Sequence, residues 1–133
     1  MSRYRVLALI LLLIAAAAAL SGCLPETLRL TEAQDGSIQE ARVGDTIQVR
    51  LRGNATTGYE WIRTSPSSLE GQPISAPTER LYVPDKGSVV GAPGTFLFTY
   101  RAKHPGTVTL SYDHLRTWED EPIDHASFIL WIH

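Results

Sequence analysis

The chain has 133 residues, with 12 basic and 14 acidic side chains and a formal net charge of −2. That length suits one domain, and so slight and acidic a net charge argues against nucleic acid as a partner, which requires clustered positive charge. A single cysteine excludes any disulfide within the domain.

In chain order, Met1-Ser2-Arg3-Tyr4-Arg5 is a short basic head. Val6 to Leu20 follows as a 15-residue run of Val, Leu, Ile and Ala alone. A helix needs about 20 apolar residues to span a bilayer. The run is too short for that and reads as the apolar core of an export signal. It ends in Leu20-Ser21-Gly22-Cys23, which resembles the lipobox of bacterial lipoproteins, cut before the cysteine and lipid-modified on its thiol. The organisation expected is a signal peptide over 1–22, a lipid-anchored tether over 23–26 and one folded domain over 27–133. Cys23 is the expected lipid attachment, which leaves no thiol for nucleophilic catalysis. Leu24 stands where an aspartate would favour inner-membrane retention, so a Gram-negative host would place the protein on its outer membrane, facing the periplasm.

Beyond the tether the pattern is one of strands. Residues 27–31 alternate polar with apolar and read as a first edge strand. A second short strand is expected over 38–43. Thr46-Ile47-Gln48-Val49-Arg50-Leu51 puts Ile47, Val49 and Leu51 on one face, the mark of a half-buried strand. It runs into the polar loop Asn54-Ala55-Thr56-Thr57-Gly58. Tyr59 to Arg63 reads as the partner strand leaving that loop, with Tyr59 and Trp61 on one face and assigned to the core. Residues 64–78 read as loop and 79–83 as a short strand, followed by a loop over 84–94. Phe96, Phe98 and Tyr100 share one face of the next strand, and Val108, Leu110 and Tyr112 one face of the strand after the turn at 104–106. A loop over 113–124 precedes an apolar closing strand over 126–132. No stretch past the signal has helical periodicity. The fold class is all-β, an immunoglobulin-like β-sandwich of seven to eight antiparallel strands.

The loops at 52–58, 84–94 and 113–122 are separated by intervening turns, so an up-and-down chain brings all three to one end. Their contents suit a protein partner. Thr56 and Thr57 are presented by the first loop, Gly91 and Gly94 by the second, and Arg116 and Trp118 by the third. Arg and Trp are residue types that dominate interface energetics. Asn54 and Gly58 are expected to shape the first loop, as residues that tolerate positive φ. Catalysis finds no support. His104, His114, His125 and His133 lack metal-ligand spacing, no serine sits in a GxSxG elbow, and neither metal nor cofactor is expected.

Asn54-Ala55-Thr56-Thr57-Gly58-Tyr59, Gly91-Ala92-Pro93-Gly94 and Arg116-Thr117-Trp118 together resemble, in order and spacing, the three motifs of the chagasin family of inhibitors of papain-like cysteine peptidases. The resemblance runs from about Val43 to the end. It implies a reversible, non-enzymatic inhibitor whose threonine loop fills the centre of the peptidase cleft while the other two loops grip its walls. With the lipobox, the form expected is a monomeric bacterial lipoprotein. The implied contacts are Thr56, Thr57, Gly91, Gly94, Arg116 and Trp118. The family pattern has proline where Ala55 and Thr117 stand, so both loops lose a fixed φ. It has glycine where Pro93 stands, so the second loop loses a backbone donor. The alternative is an envelope-anchored immunoglobulin-like binding module without inhibitor activity.

Overall fold

The computed structural model describes residues 2–20, 24–87 and 89–133. A helix α1 covers Ser2–Leu20. Among the described residues no helix is long and apolar enough to cross a membrane. Eight strands follow: β1 (Thr27–Leu30), β2 (Ile38–Ala41), β3 (Thr46–Gly53), β4 (Glu60–Ser65), β5 (Ile74–Pro84), β6 (Gly94–Ala102), β7 (Gly106–Leu115) and β8 (Asp124–Ile132). They form two four-stranded sheets, ordered β1-β3-β6-β5 and β2-β8-β7-β4. The product is the expected immunoglobulin-like sandwich.

Period-two alternation drives the packing. β6 buries Phe96, Phe98 and Tyr100, β3 buries Ile47, Val49 and Leu51, and β7 and β8 bury Val108, Leu110, Tyr112, Phe128 and Leu130 from the other side. At the centre the Tyr100 and Tyr112 hydroxyls meet at 2.8 Å, one from each sheet. Burial pushes the Tyr100 phenol up to about 12 and raises Tyr112 as well, so both remain neutral partners. The side where β4 and β5 lie at the sheet edges is crossed by Arg63–Glu79 at 2.7 Å and Arg80–Glu60 at 3.2 Å. Charged edges of this kind discourage strand addition.

Several sequence expectations change, among them the loop expected from Asp113, since β7 runs on to Leu115. Residues 60–65 do not pair with β3. They pair antiparallel with β7 in the opposite sheet. The connection at 54–58 is a 3-10 turn and not a two-residue hairpin turn, so it carries the chain across the sandwich instead of doubling it back. The strands are not all antiparallel. β1 runs parallel to β3 and β2 parallel to β8, because β1, β2 and β3 alternate between sheets. Residues 74–78, expected as loop, already belong to β5. Register shifts on either side of Thr78 interrupt its pairing with β6, and such irregularity erases alternation from the sequence.

Trp61 settles where the first loop sits. Its ring is 1% exposed, and its indole N–H donates across the sandwich to the Arg52 carbonyl at 2.9 Å. Trp61→Phe keeps most of the packing but leaves that carbonyl unpaired. Urea unfolding should show a loss of about 1–3 kcal/mol; an unchanged midpoint would mean the bond contributes nothing.

Candidate functional site

The three loops converge on one end of the sandwich. The first is a single 3-10 turn over Ala55–Thr57, capped at both ends by its own chemistry. Asn54 Oδ1 accepts from the Thr56 N–H at 3.1 Å and from the Thr56 hydroxyl at 2.6 Å. The Thr57 hydroxyl donates to the Asn54 carbonyl at 2.6 Å. Asn54 has φ −129, ordinary extended backbone, so it shapes the loop through its side chain and not through a positive φ. Gly58 does take the left-handed conformation, at φ 82. A Cβ there would also lie 2.7 Å from Trp118 Cη2. Both the turn and the close approach therefore require glycine.

Two side chains tie this loop to its neighbours. Asn54 Nδ2 donates to the Gly91 carbonyl at 2.6 Å, joining it to the second loop. Arg116 Nε donates to the Thr57 carbonyl at 3.0 Å, joining it to the third. The Arg116 guanidinium also lies 4.2 Å from the centre of the Tyr59 ring and bonds Glu119 at 3.1 Å. Arg116 is thus a brace between loops as well as a candidate contact. Trp118 is 70% exposed beside it. Tyr59, assigned to the core by alternation, is only half-buried. It lies beneath Arg116 and edge-on to His114, at 5.6 Å between ring centroids. The guanidinium holds it at the rim.

The second loop closes on itself through the Asp85 N–H to the Pro93 carbonyl at 3.2 Å and the Ala92 N–H to the Val89 carbonyl at 3.0 Å. Its stem is clamped by Arg52, whose two terminal nitrogens each lie 2.8 Å from an oxygen of Asp85. The hydrogen bond from Arg52 holds the Asp85 carboxyl below the usual carboxylate range, so the clamp persists into acid. Gly91 is exposed, but Gly94 is buried at the start of β6. A Cβ on Gly94 would lie 2.5 Å from the Val83 carbonyl. Gly94 lets β6 run close against β5 and presents no surface to a partner. Between the first two loops lies a cleft of 340 Å³ lined by Thr56, Tyr82, Val89, Val90 and Gly91 among others.

The end thus brings Asn54, Thr56, Thr57, Gly58, Gly91, Arg116 and Trp118 together, and sets Gly94 below them. Cys23 lies outside the described residues. Sequence reasoning missed Arg52, Asp85 and His114. Opposite charges at the stems of two loops were the only signal for the clamp, and the loops' convergence is what makes it meaningful. Among the described residues no group of His, Cys, Asp and Glu is arranged to hold a metal.

A profile of the chagasin family peptidase inhibitors matches residues 40–132. Chagasin of Trypanosoma cruzi is 25% identical over 104 residues, which cover 78% of this chain and 94% of chagasin. Amoebiasin-2 of Entamoeba histolytica is 30% identical over 104 residues, covering 74% of this chain and 80% of that protein. The crystal structure of a cysteine protease inhibitor from Entamoeba histolytica aligns with a TM-score of 0.69 at 25% identity, over 81% of this chain and 96% of the other.

His114 gives the site a pH dependence. Its ring stacks on Trp61 at 4.6 Å, and its buried Nε2 has no hydrogen-bond partner among the described residues. Burial lowers its pKa from the usual 6.5, against a weaker opposing pull from Asp124. The folded state therefore disfavours the proton that the unfolded chain accepts. The stability associated with the neutral ring is full above about pH 6.5 and is lost as pH falls from there through the lowered folded value. His114→Phe keeps an aromatic ring on Trp61 and removes the titration. Urea unfolding at pH 7.5 and 5.0 should show a smaller drop for the variant than for the parent; equal drops would clear His114 of the effect.

Proposed function

The chain belongs to the chagasin family of peptidase inhibitors, inhibitors and not enzymes, and from that premise we propose that it reversibly inhibits papain-like cysteine peptidases by filling their active-site cleft with its three loops. The observation that carries the reading is the tying of three loops, remote in sequence, into one tip by Asn54–Gly91 and Arg116–Thr57. A tip already held in shape loses little conformational entropy on docking, and that favours tight, reversible binding. The complex is expected to bury on the order of 800 Å² per partner.

Within the tip the threonine loop is the central finger. Each threonine hydroxyl has one hydrogen, and both hydrogens are used inside the loop. Thr56 and Thr57 therefore offer a partner lone pairs and methyl groups, which suits a cleft whose walls carry N–H donors. Trp118 supplies the large exposed ring and packs against an apolar patch of the enzyme. Gly91 contributes backbone, and Arg116 sets the angle between the first and third loops. We further propose that Cys23 is a lipid attachment and that the protein resides in a bacterial cell envelope. In a Gram-negative host that is the outer membrane, facing the periplasm. The leader motif at 20–23 and the basic, apolar start of the chain support this.

The soluble fragment beginning after Cys23 should inhibit papain or a cathepsin L-like enzyme. Failure against several papain-like enzymes at micromolar concentration would leave an immunoglobulin-like binding module without inhibitor activity as the better account. In that assay Trp118→Ala should weaken binding by at least about 2 kcal/mol, roughly 30-fold in Kd. Unchanged affinity in a folded variant would remove Trp118 from the contact. Separately, Cys23→Ser in the full chain should abolish acylation seen by intact mass; a lipid mass retained by the variant would place the modification elsewhere.

A further inference from the structure

Strand register fixes where the domain is tethered relative to its loops. Thr27, the first residue of β1, lies beside Thr46, the first residue of β3. Gly53, the last residue of β3, leads into the threonine loop. The chain therefore enters at the pole opposite the three loops. Its entry is rigidly held. The Glu26 N–H donates to Asp45 Oδ1 at 2.9 Å, and the Thr46 N–H donates to the Glu26 carbonyl at 2.9 Å. Asp45 is buried, and its other oxygen accepts from the Arg42 N–H at 2.8 Å.

Only Leu24 and Pro25 separate Cys23 from this fixed residue. Three extended residues reach about 10 Å, so a lipid on Cys23 brings the pole within about that distance of the headgroups. The surface there is not neutral to a membrane. Leu24 is 74% exposed, Val43 47% and Trp131 49%. Tryptophan is the side chain most at home at a membrane–water interface. Exposed Lys103, in the hairpin between β6 and β7, shares this pole with exposed Glu26 and Glu40, the latter beside Trp131. The apolar side chains and not net charge therefore carry the attraction. The loop pole carries exposed Glu119-Asp120-Glu121 together with exposed Trp118, Val89 and Val90, so it is the position of the short tether that selects the opposite pole for the membrane. The eight residues of β3 separate the poles by about 25 Å.

We propose that the domain seats on the bilayer through Leu24, Val43 and Trp131, with the three loops pointing away from the membrane at a height of about 25–35 Å. This rests on the lipid-anchor reading of Cys23. It identifies the occupant of the exposed apolar rim as phospholipid, and it makes the anchored inhibitor competent against peptidases that move freely in the adjoining aqueous space.

The test uses the full chain, expressed with its own leader in a bacterium that processes lipoproteins. The product is reconstituted into vesicles of phosphatidylethanolamine and phosphatidylglycerol that carry a headgroup nitroxide lipid. The chain has three tryptophans, of which Trp61 is buried and common to both variants. Trp118→Phe leaves Trp131 as the exposed emitter, and Trp131→Phe leaves Trp118. Quenching by the nitroxide should be at least twofold stronger in the Trp118→Phe protein. Equal quenching, or stronger quenching in Trp131→Phe, overturns the seating. Intact mass on the same sample separates the two levels. Loss of the acyl mass sinks the anchor reading and the seating with it, whereas acyl mass with a quenched Trp118 sinks the seating alone.

Discussion

The hydrogen bond from the Trp61 indole to the Arg52 carbonyl is the constraint from which the loop end is built. It spans the two sheets at the point where the chain crosses from one to the other. Because the crossing is pinned there, the turn at 55–57 has both of its stems fixed in different layers. The strand following the second loop runs antiparallel to β3, and the strand preceding the third runs antiparallel to β4. Those two registers bring Gly94 beside Gly53 and Leu115 beside Glu60. Three loops that lie far apart in sequence thus start from four neighbouring backbone positions.

From that base the side chains divide into those that hold and those that are held out. Asn54, Arg52, Asp85 and Arg116 spend their polar atoms on other loops or on loop stems. Trp118, Thr56 and Thr57 are exposed at the surface. An exposed ion pair such as Arg52–Asp85 adds little to global stability. Its effect is local, because it fixes the angle at which the second loop leaves the sheet. Arg116 belongs to both groups. A substitution there would alter the presentation of the threonine loop as well as any direct contact, so a loss of affinity at Arg116 does not by itself identify a contact.

Much of this was legible in the sequence, and the failures share one cause. The inward faces of β3, β6, β7 and β8 could be read because alternation is a local signal that burial on one side imposes. The convergence of the loops could be read because intervening turns separate them, and an up-and-down chain returns alternate connections to the same end. Which strand pairs with which could not, since alternation gives the face of a strand and not its neighbour. The strand read over Tyr59 to Arg63 is therefore set against β3 by the sequence, whereas β4 lies beside β7. Tyr59 and Gly94 were misjudged for a related reason. Tyr59 is kept at the rim by Arg116, and Gly94 is sunk by the approach of Val83 and Tyr82. Both are effects of residues distant in the chain.

The departures from the family motifs can be weighed on the same footing. Pro93 removes a backbone donor, yet the second loop is closed through carbonyls: Pro93 accepts from Asp85, and Gly91 accepts from Asn54. The missing N–H is one that these closing bonds do not use. Ala55 removes a fixed φ at the first position of the 3-10 turn. There the Asn54 and Thr57 bonds, with Ala55 itself packed against the core, supply the restraint that a proline ring would have given. Ala55 and Pro93 therefore both fall where hydrogen bonds from other residues already fix the backbone. The tip is held by the bonds of Asn54 and Arg116 to its neighbouring loops.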